Sequence, residues 1–145
     1  MIAFDTLLLV HAFATVSLVG LIWTIQLVHY PLFLRIPTDA FASYESEHMR
    51  RITWLVGPLM LAEALTGVLV LVRDPQSLLP QIGMALLLVI WVSTATIQGP
   101  LHGRMARDGF SESRIRWLIR SNWVRTAAWS ARGILALLLL GDGHA

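Results

Sequence analysis

The sequence predicts an all-α integral membrane protein: a bundle of four transmembrane helices running up and down, with a short amphipathic cytoplasmic segment before the second. Three observations carry that reading. The 145 residues are 56% hydrophobic and only 14% charged, with a mean hydropathy of +0.66, well above an ordinary soluble domain. Four apolar stretches are each long enough to cross about 30 Å of hydrocarbon at 1.5 Å per residue. The arginines between them fall in an alternating pattern, and the chain contains no Lys.

The first span is expected at 6–34, because Thr6 to Leu34 carries no formal charge. It lacks a basic leader and is too long for a signal peptide, so it is expected to be retained. Pro31 and Pro37 mark its end. Residues 38–51 read as an interfacial amphipathic segment that leads into a second span at 52–72, where Gly57-Pro58 is expected to kink the helix or free a carbonyl. Arg73-Asp74-Pro75 is a tight turn. The third span is expected at 78–101, a polar loop at 104–116, and the fourth span at 117–141, giving one domain over 1–145.

Arg35, Arg50 and Arg51 in loop one and Arg104, Arg107, Arg114, Arg116 and Arg120 in loop three face only Arg73 on the other side. The positive-inside rule then puts loops one and three in the cytoplasm and both termini outside, as in a bacterial inner membrane. The pI near 9.9 comes from these topological arginines, so no nucleic-acid partner is expected. Absence of Cys excludes disulfides, thiolate metal sites and cysteine nucleophiles.

Polar residues inside the spans are costly and mark function. Asn122, Arg125, Trp129 and Arg132 are spaced to share one helical face. Glu63 lies 12 residues past Arg51, and Arg132 lies 12 past Arg120, so both stand about 18 Å above the same surface. An intramembrane Glu63–Arg132 ion pair follows, as a structural clasp or as a proton-relay or substrate-binding carboxylate.

His29 closes span one, His48 opens span two and His102 closes span three, so topology brings all three to the cytoplasmic face. Trp23, Gln26, His29 and Tyr30 would there meet Gln98, His102 and the Asn122/Arg125/Trp129 face. Glu45 and His48 have the i, i+3 spacing that carboxylate bundles use for iron or manganese. His29, Glu45, His48 and His102 are therefore candidate ligands for iron, zinc, copper or manganese, or two of the His for a haem. Against this stands the plain role of His capping helix ends. His11, near the outer surface, and His144, in the tail, carry no expected role. Trp54, Trp117 and Trp123 read as an interfacial belt, while Trp23, Trp91 and Trp129 sit deeper, where they would wall an aromatic pocket. Arg104 and Arg107 are placed to touch lipid phosphates.

Asn122-Trp123-Val124-Arg125-Thr126, Gln98-Gly99-Pro100-Leu101-His102 and His29-Tyr30-Pro31 together resemble small four-helix bacterial membrane proteins similar to the anthrone-oxygenase-like family, largely a domain of unknown function. In that family a Pro-Leu-Asn ends the third helix and an Asn-x-x-Arg-Thr-like run opens the fourth. Here His102 replaces the Asn, and His29 and His48 are additions. The resemblance implies a lipophilic, aromatic-type substrate entering from the bilayer, with Asn122 and Arg125 as polar contacts, and oxygen insertion without a metal; the three His argue instead for one.

Three functions remain open from the sequence. The first is an oxidoreductase in which Arg125 stabilises an oxyanion, Tyr30 donates a proton, and Gln26, Gln98 and Asn122 supply supporting hydrogen bonds beside Trp129. The second is a small transporter or an accessory subunit of a larger membrane complex, which implies oligomerisation. The third is a purely structural polar cluster.

Overall fold

A computed structural model describes residues 3–142, so His144 lies outside the described residues. The chain forms four long helices: α1 (Phe4–Arg35), α2 (Phe41–Arg73), α3 (Leu78–Asp108) and α4 (Glu112–Asp142). Each is long and apolar enough to cross a membrane. Helix α1 packs on α2 and α4, and α3 packs on the same two, which closes an up-and-down square bundle.

The interior is layered. Phe33, Phe41, Met105, Ile115 and Leu118 fill the end that carries the loop arginines; Leu18, Ile22, Ile90 and Trp129 fill the middle; Leu7, Leu8 and Val70 fill the far end. Large apolar side chains such as Phe13, Trp54, Leu65 and Leu88 point outward, as expected where the surrounding solvent is lipid.

Residues 41–51 form the first turns of α2 and run straight into its span. Pro58 lies inside that helix, which continues to Arg73; without an N–H it leaves one carbonyl of the ladder free. One expectation about boundaries is corrected. The polar stretch 104–116 is mostly helical, since α3 extends to Asp108 and α4 begins at Glu112. The link is residues 109–111, where Gly109 takes φ 84, a left-handed value that glycine adopts without a Cβ clash, and its N–H bonds to Met105 O.

Two helices widen at matching places. Ile25–His29 in α1 and Thr94–Gln98 in α3 are π-helical turns, each followed two residues later by a proline, Pro31 and Pro100. A proline ring crowds the carbonyl four residues back and offers no N–H to it. The wider turn relieves that conflict: Tyr30 N–H bonds to Ile25 O, and Gly99 N–H to Thr94 O. Such turns re-aim the side chains around them, and these flank His29, Tyr30, Gln98 and His102.

Candidate functional site

At the arginine-rich end the three histidines expected to converge do meet, and they do so as part of a hydrogen-bonded chain. Glu45, fully buried, binds His102 Nδ1 through Oε1, and the other imidazole nitrogen, Nε2, lies 2.9 Å from the Tyr30 hydroxyl. An ionised Glu45 accepts from Nδ1–H, which leaves Nε2 as the lone-pair nitrogen and makes Tyr30 the donor to it. The Arg125 guanidinium lies near the same hydroxyl, from α4. Its other side stacks over the Trp129 ring, 5.1 Å from the centroid.

Beside this chain, His29 Nε2 and His48 Nδ1 face each other at 2.9 Å. The His48 ring lies 5.4 Å from that of His102. Phe33, wholly buried, meets His29, His48 and His102 edge-on and lies against Tyr30, so the imidazoles sit against aromatic walls and not in open water.

The Glu-x-x-His pair does not act as a pair: Glu45 reaches across to α3, and His48 reaches to α1. Nitrogens and carboxylate oxygens are thus turned to one another and not around a common point. Among the described residues no group of three His, Asp or Glu side chains is placed to hold a metal ion.

A cavity of about 260 Å³ opens between α2 and α3 in front of this cluster. Tyr30, His48, Gln98, His102 and Arg125 provide its polar wall; Ile52, Val56 and Met60 provide an apolar one. A small apolar cavity with a few convergent polar groups is the usual form of a ligand site. Glu45 Oε2, Asn122 Oδ1 and Arg125 Nε are buried without a hydrogen-bond partner among the described residues, as is Arg132 Nη2 at mid-depth.

The glutamines and Asn122 have more structural positions. Gln26 Nε2 donates to Ile119 O, and its Oε1 accepts from Asn122 Nδ2 at 2.8 Å and from Thr126. Gln98 accepts from Ser93 and donates to Ser121. Gln26 and Asn122 fasten α4 to α1, and Gln98 fastens it to α3; of the three only Gln98 borders the cavity. The aromatic pocket expected from three deep tryptophans reduces to Trp129. Trp23 and Trp91 are each 39% exposed on the outside of the bundle, and Trp23 donates to Ser130.

At mid-depth Glu63 and Arg132 form the ion pair expected from depth counting. Arg132 Nε donates to Glu63 Oε1 at 2.8 Å, Trp129 Nε1 donates to Oε2 at 3.1 Å, and Arg132 Nη1 donates to Gly83 O. His11, which looked incidental, is buried here, its Nδ1 2.9 Å from Thr66 Oγ1. Only a helix count placing His11 two turns in from the start of α1, level with Thr66, would have flagged it. Phe33 was also missed, because a lone Phe in an apolar span carries no sequence signal.

No protein-family model matches the chain, and neither a curated protein nor a solved structure matches it. Chemistry at this site therefore has to be read from the residues themselves.

Proposed function

We propose that the protein is a membrane oxidoreductase that deprotonates a lipophilic phenol or enolisable ketone in the α2/α3 cavity, the step that makes such a molecule oxidisable. One observation carries this reading: Glu45, His102 and Tyr30 form a single hydrogen-bonded line ending at the wall of that cavity, with Arg125 near the terminal oxygen. The Tyr30 oxygen takes the substrate proton as its own passes to His102 Nε2, and the buried Glu45 stabilises the imidazolium that results. Arg125 holds the developing oxyanion in a site where low dielectric strengthens its pull. The positive-inside bias supports a cytoplasmic location for this end of the bundle, as in a bacterial inner membrane. The anthrone-oxygenase-like resemblance agrees with the substrate class.

Anthrone serves as the probe, because it is enolisable and its anion absorbs in the visible. Mixed without oxygen with the purified protein at a pH where free anthrone is neutral, it is expected to give the anion's absorption with wild type and none with Arg125→Gln. A neutral spectrum with wild type would contradict the proposal.

A second reading rests on the facing His29 and His48 nitrogens, 2.9 Å apart, which would part to about 3.3 Å to become two ligands of one tetrahedral metal. Under it these two residues would hold iron, copper or manganese, which would supply redox chemistry. Elemental analysis and a visible spectrum of the purified protein decide it: a stoichiometric metal supports it, and its absence removes it.

A further inference from the structure

A second cavity flanks α2 on its other side. The α1/α2 cleft has a volume of about 590 Å³, and His48 borders both it and the α2/α3 cavity. From His48 the ring of His29 lies 4.6 Å away on the cleft side and that of His102 5.4 Å away on the other. His48, with Ile25 and Ile52, thus forms the wall common to the two cavities, and a second histidine borders each.

The cleft's lining says what kind of molecule fits. Leu21, Ile25, Ile52 and Leu55 make its walls apolar, and its polar end holds His29, His48, Glu47 and Arg51. Glu47 and Arg51 are already bonded to each other, so the rim offers no unpaired cation to a phosphate. The groove between α1 and α4 differs, because there Arg35 stands without an acidic partner among the described residues. A neutral ring carrying hydrogen-bond acceptors, with an apolar tail, suits the α1/α2 cleft; an anionic phospholipid does not.

We infer that the α1/α2 cleft seats a membrane quinone, which accepts the reducing equivalents of the reaction in the neighbouring cavity. The inference rests on the oxidoreductase reading above. A phenol carrying a second hydroxyl loses two electrons and two protons as its two C–OH groups become C=O; the quinone gains both and becomes the quinol. The Tyr30–His102 pair takes up the protons the phenol releases, and the hydrogen-bonded His29 and His48 supply those the quinone gains.

The test uses full-length protein in lipid nanodiscs and a short-chain azido-benzoquinone as photoprobe. Labelling is expected to saturate, to fall within residues 21–29 and 44–55, and to be displaced by decylbenzoquinone but not by phosphatidylglycerol. Thr24→Trp, which fills the cleft from its exposed lining, should cut labelling about tenfold or more and leave the anthrone spectrum as it is. Labelling that does not saturate, that yields to phosphatidylglycerol, or that falls elsewhere overturns the quinone seat. The two readings fail separately. Saturable labelling with no anthrone anion sinks the deprotonation and keeps the seat; an anthrone anion with unsaturable labelling sinks the seat alone.

Discussion

Two polar centres lie within the bundle, built from similar parts and left in different states. The mid-depth centre joins all four helices: His11 of α1, Glu63 and Thr66 of α2, Gly83 of α3, and Trp129 and Arg132 of α4. Both Glu63 oxygens are engaged, and the cavity beside Arg132 measures about 10 Å³, room for one water at most. The centre at the arginine-rich end also joins four helices, through Tyr30, Glu45, His102 and Arg125. It opens instead on a cavity of about 260 Å³, between two π-helical turns. A buried charge whose partners are all internal holds helices together; one that keeps a face on a cavity is available for chemistry. Trp129 touches both, donating to Glu63 and lying under Arg125.

The contrast breaks first at Glu63. Glu63→Gln strands the Arg132 charge in the interior and is expected to cost about 3–5 kcal/mol in unfolding free energy, read by denaturant or thermal unfolding in detergent. Adding Arg132→Met should recover most of that loss, since removal of both charges leaves neither unpaired. A Glu63→Gln protein as stable as wild type would deny that the centre is a clasp.

Trp129→Phe sharpens the comparison by acting on both centres. It removes the indole N–H from Glu63 and weakens the surface under Arg125, with an expected cost of about 1.5–3 kcal/mol. Bound anthrone anion should fall with it. Thr66→Val acts at the edge of the clasp alone. It leaves His11 Nδ1 without its partner, for about 1 kcal/mol, and the anthrone spectrum should not change.

Depth was the legible part of this chain. A helix of fixed rise turns residue counts into heights, so Glu63 and Arg132 could be matched from their distances to Arg51 and Arg120, and three His could be placed at one end. Partners were less legible, because they depend on helix rotation. The i, i+3 spacing of Glu45 and His48 pointed to a shared ligand, yet the two side chains serve different neighbouring helices. One boundary failed for a related reason: charged residues in 104–108 and 112–116 looked like loop, but a helix that leaves the membrane keeps its hydrogen-bond ladder in polar surroundings. Pro31 was read as marking the end of the first span, and Pro100 carried no expectation about its helix. That each would be absorbed by a π turn depended on the packing around it.

The most direct test of the division between the two centres is the visible spectrum of anthrone bound without oxygen to three proteins: wild type, His102→Asn, and the Glu63→Gln/Arg132→Met double variant. His102→Asn breaks the line from Glu45 to Tyr30, whereas the double variant leaves that line intact. The expected result is the anion's absorption with wild type and the double variant and its loss with His102→Asn. An anion that survives His102→Asn, or that vanishes with the double variant while the protein stays folded, would contradict the account.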